Sequence, residues 1–235
     1  MSCSSGPEIV NDGLVLWLDS GNSRSYPGSG STITDLSGRG NNGTVLPQVS
    51  FLTSPTRFNF PTSTSTDSRI FVNHSNDMNY SYLNWCYSFW LRQLVDDNGG
   101  WAQLFIKGND GGNRRPGIWF YSGDSSKLHI TWNHSSQAQE TLDTTPDFLL
   151  PINVWNNIVI QSRDGVMMAF KNGVQDANTL VISERNTTTD PLHIGHRGSY
   201  RTLNMEISNF MLYNRSLSQQ EININFNALR GRYGI

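Results

Sequence analysis

LNMEISNFMLYNRSLSQQEININFNALRGRYGI, Leu203–Ile235, is the stretch whose reading decides the fold. In its first part Met205, Ile207, Asn209, Met211 and Tyr213 alternate with Glu206, Ser208, Phe210 and Leu212. That period of two predicts a strand. Ser218 is followed three residues later by Glu221. At this spacing a serine hydroxyl takes the amide at the third helical position while the glutamate returns to the cap's own amide, so a helix is predicted to begin there. Ile222, Phe226 and Leu229 recur along one side of that helix, and Gly231 stands where it can end.

Working outward, Gly13–Ser20 (GLVLWLDS) is an apolar run of strand length closed by turn formers, the pattern of a buried strand. Asp35–Thr44 (DLSGRGNNGT) is crowded with glycine, aspartate and asparagine. It reads as a structured turn in which Asp35 and Asn41 bond neighbouring amides. Residues 49 to 72 hold short alternating pieces between Pro55 and Pro61, expected as short or edge strands. In Trp85–Gln93 (WCYSFWLRQ), Trp85, Tyr87, Phe89 and Leu91 share one face, and Cys86, Ser88 and Trp90 the other. Aromatic groups on both faces predict a central strand buried on both sides. Further strands are predicted in WAQLFIKG, GIWFY and KLHITW, and residues 133 to 154 as a long loop or irregular hairpin. Val154–Gln175 reads as a hairpin turning at Arg163-Asp164-Gly165, with a second turn at Asn172-Gly173.

Composition narrows the function classes. The chain has 235 residues, 15% charged, with a net charge of -2. A single large all-β domain fits this length. No basic field exists to hold nucleic acid. No apolar run reaches membrane-spanning length, and the N-terminus has neither the basic nor the apolar region of a leader, so a soluble chain made in a cytosol is expected. Cys3 and Cys86, the two cysteines, are expected as unpaired thiols.

The ISNFMLYNRSLSQQEI segment resembles the close of LamG-like domains in the concanavalin A-like lectin/glucanase superfamily, where a late strand of this sense leads into one short helix. The family usually has a glycine just before this strand; Asn204 and Met205 stand there in this chain. Asp35–Thr44 resembles the turn near the family's start, Trp85–Trp90 its core strand, and Leu192–Gly195 its "L-x-I-G" strand. The resemblance implies a two-sheet antiparallel jelly-roll sandwich with one short C-terminal helix and the first strand close to the last. It spans residues 13–235 as a single domain, preceded by an arm at 1–12.

Candidate chemistry is sparse. His193-Ile-Gly-His196 spells a tetrapeptide of nucleotide-transferring enzymes, but it lies in a strand of an all-β chain, where i and i+3 point to opposite faces. The five glutamates, Glu8, Glu140, Glu184, Glu206 and Glu221, include no alternating carboxylate pair of the kind retaining glycoside hydrolysis needs. An enzyme is therefore not expected. Asp96, Asp97 and Asp110 offer hard oxygens on loops and are the candidate ligands should calcium bind. Tyr26, Trp101, Tyr121 and Tyr200 are the candidate aromatic platforms for a sugar.

A lone domain of this kind, entered within a dozen residues of Met1, resembles short proteins carried on the particles of tailed bacteriophages. The resemblance implies a non-enzymatic virion surface component, such as a capsid decoration, fibre or adhesion module. It would be assembled in the host cytoplasm, homo-oligomeric, in contact with a capsid or tail protein and with host-surface glycans. The alternative is a calcium-dependent glycan-binding module, and a glycoside hydrolase comes third.

Overall fold

The computed structural model describes residues 8–96, 99–109, 113–132, 140–184, 188–198 and 200–235. The strands are β1 (Leu14–Asp19), β2 (Thr32–Ile33), β3 (Gly43–Val45), β4 (Ser50–Leu52), β5 (Arg57–Phe60), β6 (Arg69–Val72), β7 (Trp85–Gln93) and β8 (Ala102–Gly108). They continue as β9 (Arg114–Tyr121), β10 (Asp124–Trp132), β11 (Glu140–Asp143), β12 (Trp155–Arg163), β13 (Val166–Lys171), β14 (Val174–Val181), β15 (Leu192–Gly195) and β16 (Met205–Tyr213), and helix α1 spans Gln219–Arg230.

Two eight-stranded sheets result. The first runs β14-β13-β12-β7-β16-β5-β4, with β1 also pairing β16; the second runs β11-β10-β9-β8-β15-β6-β3-β2. Every pairing between these strands is antiparallel. This is the expected sandwich, and β1 does lie against the last strand.

The local signals act where they were read. Both Asp164-Gly165 and Asn172-Gly173 have positive φ at both positions, the two-residue turn whose twist matches its flanking strands. Asp35 accepts from the amides of Trp17, Ser37 and Asn41, and Asn41 donates to the Val15 carbonyl, so the glycine-rich segment is a braced turn beside β1. The serine cap holds as well. Glu221 N donates to Ser218 Oγ at 3.2 Å and Ser218 N donates back to Glu221 Oε2 at 2.8 Å. Gly231 keeps a right-handed φ of -61° and enters a 3-10 turn, however, and the left-handed residue is Gly234. The chain runs one further turn than the glycine alone suggested.

Strand β7 is buried on both faces. Trp85, Tyr87, Phe89 and Leu91 enter the core between the sheets, while Cys86 and Trp90 enter a second cluster outside the first sheet. That outer cluster lies under α1: Ile222, Leu229 and Tyr233 cover Trp90, Trp155 and Val159. Ile9, placed in the arm on sequence, is buried in the same cluster. Cys86 is a free buried thiol; Cys3 lies outside the described residues.

Strand β16 departs from strict alternation. Its register against β7 shifts between Ile207 and Phe210. Met205, Ile207, Phe210 and Leu212 therefore share the inter-sheet core, and Met211 and Tyr213 share the cluster under the helix. A bulge adds one residue to a strand and moves every later side chain to the other face, which is why the period read across the whole strand assigned Phe210 and Leu212 with Glu206.

Candidate aromatic cleft on the second sheet

Outward-facing positions of the second sheet come together by register. Trp119 on β9 opposes His129 on β10, and Thr131 on β10 opposes Gly117 on one side and Thr141 on the other. Residues directly opposite in an antiparallel pair share a face. Gly117 is needed there: a Cβ at this position would stand 2.2 Å from the Trp119 ring. The indole thus lies down along the sheet, where a residue with a side chain at 117 would lift it.

Around this floor Trp101, Arg114, His129, Thr141 and Tyr200 line an open cleft of about 280 Å³. The Trp101 ring packs 4.3 Å from that of His129 and edge-on to Tyr121 at 5.2 Å. Tyr200 meets Trp119 edge-on at 5.5 Å. The Arg114 guanidinium lies 4.6 Å from the Trp119 centroid and 5.9 Å from that of Tyr200. Ring faces attract a cation, so Arg114 is held in place with its N–H groups set beside the cleft. His129 Nδ1 meets Asp143 Oδ1 at 2.5 Å. Burial pushes the imidazole below its ordinary value, and the Asp143 contact opposes that shift.

Of the four aromatic candidates, Trp101 and Tyr200 line this cleft and Tyr121 buttresses Trp101. Tyr26 is corrected to a core residue. It is 6% exposed, packs on Phe51 and Phe58, and donates its hydroxyl to the Gly30 carbonyl, so no ring face is available to a sugar. Sequence reading missed Arg114, Trp119, His129 and Thr141. A parity signal was available for one of them, since Trp119 sits two residues from Tyr121 and shares its face.

Of the three candidate calcium ligands, Asp96 alone is among the described residues. Asp96 accepts from Ser125 Oγ at 2.8 Å, whereas Asp97 and Asp110 lie outside the described residues. Among the described residues no group of three or more His, Cys, Asp and Glu is placed to hold a metal ion. Glu206 is on the other sheet, almost fully buried between Arg57 at 2.7 Å and Arg92 at 2.6 Å, an ion-pair bridge across three strands. Glu140 accepts from Ser183. His193 is buried against Phe71, and burial, with Arg197 and Arg69, pushes its pKa down to about 3, so the ring is neutral. No helix among the described residues is long and apolar enough to cross a membrane.

Comparison with known proteins follows the fold. The family profile of the Concanavalin A-like lectin/glucanases superfamily, laminin G type, matches residues 63–223. No curated protein sequence matches the chain. Among solved structures, the binding domain of a paraclostridial mosquitocidal protein is similar with a TM-score of 0.72 and 20% identity, over 93% of this chain and 52% of that one. The binding domain of botulinum neurotoxin DC, solved with SialylT, gives a TM-score of 0.68 and 23% identity over 94% and 52%. A botulinum neurotoxin type C structure, described as entering cells through two ganglioside molecules, gives 0.70 and 22% over 94% and 52%. The chain thus spans about half the length of these toxin structures and shares their fold. Family profile, sandwich topology and closing strand–helix unit agree that the chain belongs to the Concanavalin A-like lectin/glucanases superfamily.

Proposed function

We propose that this domain is a non-enzymatic carbohydrate-binding module and that the cleft between Trp101 and Tyr200 is its site. The observation that carries the reading is the convergence of three aromatic rings and several polar groups on one open face. A pyranose presents C–H faces that lie well against indole and phenol rings, and hydroxyls that need fixed polar partners. Arg114, His129 and Thr141 supply those partners. The described residues that line the cleft include an arginine and no carboxylate, so sugars bearing a carboxylate or sulfate are favoured over neutral ones. The likeness to toxin binding domains supports the fold of such a module; the site rests on the cleft itself.

The test is a glycan array followed by calorimetric titration of the best ligands. Trp101→Ala is expected to weaken binding at least tenfold, about 1.4 kcal/mol. EDTA is expected to leave the affinity unchanged, since the described residues of the cleft present no metal ligand set. A ligand that binds equally well to the Trp101→Ala protein would place the site elsewhere. A calcium requirement would turn attention to Asp96, Asp97 and Asp110.

The module's setting is our second proposal: a virion surface, where it would contact particle proteins and copies of itself. Supporting this, β14 is the edge of the first sheet and leaves Val174 71% and Val181 77% exposed, and such an edge pairs readily with another chain. Mass spectrometry of purified phage particles should find the chain at structural stoichiometry. Finding it only in the soluble lysate would remove this reading and leave the cleft untouched.

A further inference from the structure

At one end of the inter-sheet space two cations are buried together. Lys107 on β8 is 1% exposed and Arg115 on β9 is 6% exposed. Lys107 Nζ donates to the carbonyls of Thr188 at 3.3 Å and Asp190 at 2.5 Å, and meets His74 Nδ1 at 3.2 Å. All three partners are neutral: His74 is pushed below its ordinary value by burial and by Lys107. Arg115 lies with its guanidinium 5.1 Å from the Trp132 ring, and its Nη2 has no hydrogen-bond partner among the described residues. Neither cation forms an ion pair with a carboxylate among the described residues.

The nearby acids are engaged elsewhere or exposed to solvent. The Asp190 carboxylate accepts from Thr188 Oγ1 and Asn109 Nδ2, both at 2.8 Å, and Glu184, whose charge favours the Arg115 cation, is exposed. Tyr80 donates its hydroxyl to the Arg115 carbonyl and shares a 2.8 Å contact with the Tyr87 hydroxyl, so neither phenol offsets the charge. Two buried cations with no carboxylate in ion-pair contact among the described residues are a costly arrangement, because burial strips each of its hydration and their repulsion adds to that loss. Lys107 and Arg115, with Met78, Asn79, Tyr80 and Thr188, line a small, partly open cavity of about 10 Å³.

We infer that this cavity is a binding site for one small monovalent inorganic anion of the chloride class, held by Arg115 Nη2 in the field of Lys107. The space is close to that of one water-sized particle, which favours a monatomic ion over phosphate, sulfate or a carboxylate. A water molecule would satisfy Nη2 but bring no charge against the two cations; an anion does both. The site lies between the sheets and is separate from the aromatic cleft, so it holds or fails independently of the carbohydrate reading. It locks β8 to β9 and to the Thr188–Asp190 loop.

The experiment is thermal unfolding of the whole chain at constant ionic strength while sodium chloride replaces sodium gluconate, whose anion is too large to enter. Chloride and bromide are expected to raise Tm saturably by roughly 2–4 °C, the shift for an anion about tenfold above its Kd in a protein of this size. Arg115→Gln should abolish the increment. The increment should also shrink between pH 7 and pH 9. Burial pushes Lys107 down to about 8, Asp190 pulls it back up and Arg115 lowers it, and the anion is favoured only while that ammonium keeps its proton. Equal Tm in chloride and gluconate, or an increment that persists in Arg115→Gln, overturns the inference. Should that variant not fold, chloride-35 line broadening by the wild-type protein decides: broadening displaced by bromide supports the site, and its absence refutes it.

Discussion

The outer faces of the two sheets carry similar aromatic groups and use them differently. On the first sheet Trp90 stacks on Tyr233 at 4.1 Å and on Phe226 at 5.8 Å, and Trp155 packs on the same tyrosine at 4.9 Å. The chain's own helix covers them. On the second sheet Trp101 and Tyr200 stay partly exposed, and the ring between them rests on Gly117 with Arg114 beside it. An aromatic side chain on an outer strand face is therefore no evidence of a site by itself. The difference lies in whether the chain supplies its own cover and whether fixed polar groups accompany the rings.

Three measurements can break or sharpen that contrast. The largest effect is expected for Trp90→Ala. It removes a fully buried indole between β7 and α1 and should cost about 3–5 kcal/mol in urea unfolding, while surviving folded protein keeps its cleft. A loss below about 1 kcal/mol would mean that the helix is a loose cover and the first sheet's outer face is also open to partners.

An intermediate effect is expected at the cap that holds the cover in place. Arg215 Nη2 lies 2.6 Å from Glu221 Oε1, and this contact, then the Ser218 hydrogen bonds, hold the Glu221 carboxyl down to about 2 against an ordinary 4.5. A depressed carboxylate stabilises the fold fully above its unfolded value. That contribution fades as pH falls from about 4.5 through about 2. Glu221→Gln should therefore cost about 1–2 kcal/mol at pH 7 and flatten the acid limb of the stability profile. An unchanged acid limb would place the pH dependence on other groups.

The smallest effect is expected for Trp101→Ala on stability, about 1 kcal/mol or less, because the ring is only partly buried and packs on two neighbours. Paired with its large expected effect on sugar binding, this is the opposite profile to Trp90→Ala. If the two substitutions destabilise equally, Trp101 is part of the core and the cleft reading loses its platform.

The second sheet also shows where reading the chain residue by residue stops. Trp101, Tyr121 and Tyr200 could be named as platforms, but nothing in the linear chain placed Arg114 against Trp119 and Tyr200, or brought Thr141 across from Thr131. The Thr131–Thr141 contact follows from the β10-β11 register, and Tyr200 reaches Arg114 from 86 positions further along the chain. Tyr26 failed for the converse reason. Its surroundings in sequence are polar, and the rings that enclose it come from β4 and β5.

By itself the sequence determined what is encoded within a few residues: the serine–glutamate cap of α1, the Asp-Gly and Asn-Gly turns, the braced Asp35 segment and the two-faced alternation of β7. Each depends on backbone geometry or a hydrogen bond spanning a handful of positions, so the chain carries the whole instruction locally. Only the tertiary structure decided the bulge that turns Phe210 and Leu212 into the core, the burial of Tyr26, the pairing of two cations beside one small cavity, and which aromatic face the helix covers. These are set by which distant strands meet and in what register, and a shift of one residue there exchanges inside for outside.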